Sequence, residues 1–306
     1  MALTDKPLIV FDGACGTNLQ VMEIPASAWD GNDGCNEYLN LSSPETIVAL
    51  HRPFVEAGAM VLETNTFGAS SIVLAEYGLE ARVEEINHRA VDHARTAIGD
   101  REVYVAGSVG PTTKLPSLNH ISVDDLYASL SEQIDSLMHA GVDALVLETC
   151  QDLLQVKTAL VCCFDRFAAL GQSVPLLVSV TIERQGTMLV GSDIATVVTT
   201  IAPFDVFSLG LNCATGPGDM MSHIRYLAKH WPGRISCIPN QGLPEVVDGQ
   251  TCYPMQPTDY AEHMRQFVSR DGVSVVGGCC GTTPAHIKAL VEAVSELEPA
   301  SREVSV

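Results

Sequence analysis

Short apolar runs rich in β-branched residues recur along the whole chain, and this recurrence is what most limits the folds open to it. They occupy 8–11 (LIVF), 59–63 (AMVLE), 103–108 (VYVAGS), 143–148 (DALVLE), 175–181 (PLLVSVT), 205–210 (DVFSLG), 235–239 (ISCIP) and 273–278 (VSVVGG). Their starts lie 30 to 51 residues apart, and most of the gaps carry a helical pattern. In one such gap Leu126, Leu130, Ile134, Leu137 and Met138 keep the spacing of a single helix face. Helix starts are expected at Ser43 before Pro44 and Glu45, at Ser122 with Asp125, and at Thr283 before Pro284; Gly58 and Gly141 mark helix ends. A strand that is apolar throughout is buried on both faces, as in a parallel sheet covered by helices. Eight such units in a row imply a closed (β/α)8 TIM barrel of the α/β class, one domain over residues 1–297, with a polar tail at 298–306 expected to fray. A doubly wound open sheet is the alternative, because strand order is not written in the sequence. The longest connection, residues 12–43, contains Pro25, Gly31, Asn32, Asp33 and Gly34, and a loop of that length in a compact domain is usually functional or a lid.

Charge narrows the function. With 37 acidic against 17 basic residues the formal net charge is −20, so the chain should repel nucleic acid and anionic lipid surfaces. No uninterrupted apolar stretch approaches the ~18 residues of a membrane span, and the N-terminus lacks the basic start of a secretory signal. A cytoplasmic protein is expected, with neither nucleic acid nor membrane as partner. In a reducing compartment its ten cysteines read as buried thiols or as ligands.

Barrel chemistry sits just beyond the carboxyl ends of the strands. Those positions hold Asp12; Glu63, Thr64 and Asn65; Glu148; Thr181; Asn212 with Cys213; Asn240; and Cys279 with Cys280. Three cysteines at the ends of two strands fit a zinc site, since thiolate is a preferred ligand and three protein ligands leave the fourth tetrahedral position for substrate. The glycines of GGCCG permit the sharp turn that would bring both sulfurs to one ion. Adjacency alone is weak evidence: Cys162 and Cys163 are also neighbours, in a helix-like stretch where simple packing is the better reading. A phosphate cradle is a further alternative, because glycine-rich turns after late barrel strands lead into helix N-termini. Asp12 and Glu148 could act as a general acid and base, but holding a substrate ammonium group or nearby loop backbone is the simpler role. His51, His88, His93 and His139 lie in helix-like stretches without a metal motif and are expected at the surface.

Seven segments together resemble the homocysteine S-methyltransferase family: FDGACGTNLQ, the run from Gly34 to Ser70, GSVGPT, ALVLETCQDLL, GLNCATGP, PNQGLP and VVGGCCGTTPAHI. Within the family the chain is most similar to the homocysteine-binding modules of cobalamin-dependent methionine synthases. The resemblance runs from about residue 8 to residue 292. It implies a (β/α)8 barrel whose Cys213, Cys279 and Cys280 hold zinc, with the homocysteine thiol in the open position as thiolate. It also implies that Asp12 and Glu148 bind the amino group, that backbone around Gly13 and Ala14 meets the carboxylate, and that Asn240 approaches the zinc when substrate is absent. The implied activity is zinc-dependent homocysteine S-methylation to methionine, with methylcobalamin on a separate corrinoid-binding protein or module as donor. The alternatives are a small donor such as S-methylmethionine or betaine, or a homocysteine- and zinc-binding module inactive without a corrinoid partner. Cys15 stands where the family's opening motif often has methionine, and with no segment expected after the last helical pattern to hold a corrinoid or folate, the chain is expected to be either an excised module or a free-standing subunit.

Overall fold

The computed structural model describes residues 2–243, 245–247 and 250–305. Eight parallel strands form its centre: β1 (Ile9–Val10), β2 (Val61–Glu63), β3 (Tyr104–Val109), β4 (Ala144–Cys150), β5 (Leu176–Val180), β6 (Ser208–Asn212), β7 (Arg234–Ile238) and β8 (Val275–Val276). Consecutive strands pair from β2 to β8, and β8 pairs with β1. The ring is completed by a parallel bridge between Phe11 and Val61, flanked by Met60 N–H donating to Val10 O (2.8 Å) and Asp12 N–H to Val61 O (3.0 Å). This closure is the expected TIM barrel and excludes the open sheet.

Eight helices surround it: α1 (Pro44–Ala57), α2 (Val83–Ile98), α3 (Val123–His139), α4 (Leu153–Leu170), α5 (Ile194–Ile201), α6 (Pro217–His230), α7 (Pro257–Asp271) and α8 (Pro284–Val294). Their starts follow the side-chain chemistry: Ser122 Oγ accepts the Asp125 N–H at 3.0 Å, and Thr283 caps α8 in a reciprocal box with His286. The apolar stripe of α3 is buried along its length, including Leu126, Leu130, Ile134 and Leu137. Between β7 and α7 lies a short antiparallel hairpin, Glu245–Val247 with Gln250–Cys252. Among the described residues no helix is long and apolar enough to cross a membrane.

Strand alternation sorts the residues into two cores. Leu62, Val105, Leu145, Leu147, Val178, Leu209 and Val276 point out to the helices, whereas Val61, Ala106, Ala144, Val146, Leu177 and Val275 fill the barrel interior. One step of two residues beyond the inner set brings Glu63, Ser108 and Glu148 to the upper end of the interior. Polar side chains thus reach the carboxyl rim because they share the inward parity of apolar residues below them.

Two expectations are revised, for the histidines and the tail. His51 and His93 are buried, not at the surface: His93 Nε2 meets the Asn40 carbonyl at 2.8 Å under α2, and both face inward from helices that pack together. The C-terminal tail does not fray: Arg302 donates to the carbonyls of Trp231 (2.8 Å) and Gly233 (2.5 Å), and the N–H groups of Ala300 and Ser305 donate to Val268 and Lys229. The long first connection folds into short helical turns at Cys15–Leu19, Ala26–Trp29 and Leu39–Ser42, which pack Leu19, Ala28 and Leu39 against Ile47 and Leu50 of α1. Cys162 and Cys163 are fully buried in α4, as packing residues should be.

Candidate metal centre and amino-acid pocket

The three cysteines at the strand ends converge. Cys213 follows β6, while Cys279 and Cys280 follow β8, and their sulfurs all lie within 4.8 Å of one another. Backbone conformation achieves this. Cys213 and Ala214 both adopt the left-handed region, φ +59° and +55°, a state that costs roughly 1–2 kcal/mol for each non-glycine residue. Cys213 N–H donates to Ile238 O, and the strained turn closes with Thr215 N–H on Cys213 O at 2.6 Å. On the other side Gly281 has φ +81°, and a Cβ there would lie 2.4 Å from the Tyr253 ring, so only glycine lets the chain turn after Cys280.

Hydrogen bonds then lock the two segments together. Cys279 N–H donates to Pro239 O (2.8 Å), Gln241 N–H to Cys280 O (2.9 Å), Asn240 N–H to Thr215 O (3.1 Å) and Thr282 Oγ1 to Cys279 O (2.6 Å). Behind them the buried Tyr260 hydroxyl donates to Gly277 O at 2.6 Å.

The donor set suits a tetrahedral thiolate-binding metal. Zinc–sulfur arms of about 2.3 Å at the tetrahedral angle set sulfur–sulfur edges of about 3.8 Å, and Cys213 and Cys280 are 3.8 Å apart. Hydrogen bonds from Cys213 and then Cys279 hold the Cys280 thiol down to about 3. Cys213, although a bond from Cys279 pulls it down, is pushed up to about 11 by its bond to Cys280 and by burial. The cluster by itself therefore favours one thiolate, and a cation is needed to ionise all three sulfurs. Asn240, between the two cysteine segments, is buried, and its Oδ1 has no hydrogen-bond partner among the described residues, so it is free to serve as a further donor.

These sulfurs line a cavity of about 320 Å3 together with Gly13, Ala14, Cys15, Glu37, Glu63, Ser108 and Glu148. Among the described residues no lysine, arginine or histidine lines it, which argues against the phosphate cradle. Burial raises the Glu148 carboxyl to about 7, although Ser108 Oγ donates to one oxygen; Asn212 Nδ2 donates to the other at 3.2 Å. Asn212 also holds the left-handed Thr149 through its N–H (2.8 Å) and hydroxyl (2.8 Å). Glu63 is raised well above the carboxylate range by burial, then by repulsion from Glu148 and Asp12.

Of the residues the sequence singled out, Gly13, Ala14, Glu148 and the three cysteines line the cavity, and Asn240 borders the cysteines. Asp12 is buried just outside the lining; both its carboxylate oxygens face the Glu63 N–H, at 3.2 and 3.3 Å. The Ala14 N–H is already donated to Thr282 Oγ1 at 3.2 Å. Sequence reasoning passed over Ser108, Thr149, Thr282 and Tyr260. Ser108 closes its apolar run just as Glu148 does, so the strand-end rule could have found it; the others are visible only once the loops are folded.

A closed TIM barrel with a three-thiol cluster at the carboxyl rim, beside a cavity lined by carboxylates, defines the class the fold and site show. The profile of the family described as homocysteine S-methyltransferase matches residues 9–294, and the chain belongs to that family. It is 40% identical over 303 residues to the methionine synthase of Mycobacterium tuberculosis (strain ATCC 25618 / H37Rv), covering 97% of this chain and 25% of that protein. It is also 40% identical over 293 residues to the methionine synthase of Mycobacterium leprae (strain TN), covering 94% of this chain and 24% of that protein. The chain thus spans about a quarter of the length of these relatives. The metallated form of the homocysteine methyltransferase MmuM from Escherichia coli shares the fold, with TM-score 0.73, 24% identity and coverage of 94% of this chain and 96% of that one.

Proposed function

We propose that the chain is a zinc-dependent homocysteine S-methyltransferase unit that makes methionine, with methylcobalamin on a separate corrinoid-binding protein or module as methyl donor. One observation carries it: three strand-end sulfurs within 4.8 Å of one another, two of them 3.8 Å apart, form the wall of an acidic cavity. Cys213, Cys279 and Cys280 would hold the ion. When bound, zinc supplies Lewis acidity, lowering the pKa of a substrate thiol from its usual value near 8.5 so that a nucleophilic sulfur exists at neutral pH.

The chain's own residues do the rest. Glu148, fixed by Ser108 and Asn212, accepts the ammonium group of the substrate, with Asp12 completing the negative field. The substrate carboxylate turns toward the backbone at Gly13 and Ala14, where the Ala14 N–H exchanges its Thr282 partner for the ligand. Asn240 stands by as the oxygen donor to the metal centre when no thiol is present. The corrinoid donor is supported by the methionine synthase relatives, and reduced thiols at the site suit a cytoplasmic location.

Metal analysis of the wild type and Cys213→Ser, paired with methionine formation from homocysteine and methylcobalamin, tests this. We expect stoichiometric zinc and turnover in the wild type and loss of both in the variant. A wild type without zinc, or a variant with full zinc and full methylation, refutes the site. Turnover with S-methylmethionine or betaine but not methylcobalamin would move the donor to a small molecule. Homocysteine binding without turnover on any free donor would leave a module that acts only when docked to its corrinoid partner.

A further inference from the structure

Tyr253 directly follows the hairpin between β7 and α7 and does not line the cavity, yet it is pressed against the turn that carries Cys280. A Cβ on Gly281 would lie 2.4 Å from Tyr253 Cγ and 2.6 Å from Cδ2, so the ring packs directly on the backbone next to Cys280. Ring and turn are tied together through one glutamine. Gln241 Nε2 donates to the carbonyls of Tyr253 (3.1 Å) and Met255 (2.7 Å), while the Gln241 N–H donates to Cys280 O (2.9 Å). His286 Nε2 meets the same Met255 carbonyl at 3.1 Å, and the Gly281 N–H donates to Thr17 Oγ1 at 3.0 Å.

This anchoring brings the phenol to sulfur. Burial first, then the charge of Cys280, Cys213 and Cys279, and a side-chain hydrogen bond to Cys280, push the Tyr253 hydroxyl up to about 12. It is therefore protonated at neutral pH and has an O–H to give.

All three cysteine sulfurs line the cavity that receives the substrate. On the reading above an electrophilic methyl group arrives there as well, so the thiolates that hold the ion compete with the substrate thiolate for it. A cysteine that wins this competition becomes a thioether. Its lone pair forms the new sulfur–carbon bond, the donor departs with the electron pair of the broken bond, and the neutral sulfur is no longer a thiolate ligand. A hydrogen bond to a thiolate draws charge from the sulfur and lowers its nucleophilicity. Resting on the zinc and methyl-transfer reading, we propose that Tyr253 donates its hydroxyl to the Cys280 thiolate and thereby protects this ligand from methylation, leaving the substrate sulfur as the favoured nucleophile.

Iodomethane is the probe: its carbon accepts the sulfur lone pair and iodide leaves with the carbon–iodine pair. Zinc-loaded wild type and Tyr253→Phe are treated with it, and methylation of each cysteine is followed by peptide mass spectrometry. Phenylalanine keeps the ring on Gly281 and removes only the hydroxyl. We expect Cys280 methylation to rise about tenfold or more, the effect of losing a hydrogen bond to a charged group, with the Cys213 and Cys279 rates little changed and the starting zinc content equal. In the cobalt-loaded proteins the sulfur-to-cobalt charge-transfer band should move to lower energy in the variant, because the Cys280 sulfur has gained electron density.

An unchanged Cys280 rate, an equal rise at all three sulfurs, or an unmoved cobalt band overturns the role of Tyr253 while leaving the zinc reading intact. So does a variant that melts well below the wild type or fails to load metal, since the hydroxyl is then a brace of the fold. A wild type that loads no zinc overturns both.

Discussion

Glu148→Gln should make this protein more stable at high pH, and by a calculable amount. The Glu148 carboxyl titrates at about 7 in the folded chain against an ordinary 4.5, mainly because it is buried. The folded state therefore binds the proton more tightly than the unfolded state does. The stability this confers is fully present below 4.5 and is lost as pH rises through 7. At about 1.36 kcal/mol per pH unit, the ionised side chain costs the folded chain on the order of 3 kcal/mol at pH 8. Glutamine does not titrate and carries no such cost. Its oxygen still accepts from Ser108, but its amide meets the Asn212 amide where a carboxylate oxygen was, a pH-independent loss of about 1 kcal/mol. Removing the charge also relieves Asp12 and Glu63, whose carboxyls Glu148 pushes up, and this adds to the gain with the same sign. Urea unfolding of chelator-treated wild type and variant, at pH 5 and pH 8, measures the difference. The variant's advantage should grow by on the order of 3 kcal/mol between the two, while its homocysteine binding falls. An advantage that stays flat with pH would refute the reasoning, because Glu148 would then not be a buried, strained carboxylate.

Other perturbations separate the scaffold from the site. Tyr260→Phe removes the hydroxyl that braces Gly277 and should cost about 1–2 kcal/mol in urea unfolding; it should also weaken zinc binding in a chelator competition, because Cys279 and Cys280 follow that brace. Gly210→Ala would place a Cβ 1.9 Å from the Ser236 carbonyl across the β6–β7 pair, so expression should yield little folded protein, or stability should fall by more than about 4 kcal/mol. Cys15→Ser should keep full zinc stoichiometry, because the Cys15 sulfur lies on Asn65 Oδ1 at 3.2 Å and is not one of the clustered thiols.

The sequence made the barrel legible because a buried parallel strand has to be apolar on both faces, and eight such runs separated by helical patterns leave few architectures. The strand limits were less legible. The run at 205–210 starts too early, since the paired segment is Ser208–Asn212, and β1 and β8 pair over only two residues each. A short strand in a closed ring borrows its position from its neighbours, so its own composition does not define its ends. The buried histidines were misplaced for a similar reason. Helix periodicity identifies an apolar face, but His51 and His93 sit where α1 and α2 pack on each other, and a polar ring on an apolar face is invisible to a count of apolar residues.

The site divides along the same line. The three cysteines could be located because the chemistry they serve requires thiols and sharp turns, and GGCCG writes both into the chain. The carboxylates could be located only as strand-end residues, and their functions were interchangeable on paper. Hydrogen bonds separate them: Glu148 is bonded by Ser108 and Asn212 and Asp12 by the Glu63 backbone, while the Glu63 carboxylate accepts none among the described residues. A partner forty or more residues away decides which carboxylate is engaged within the protein, and that partner is set by the closure of the barrel.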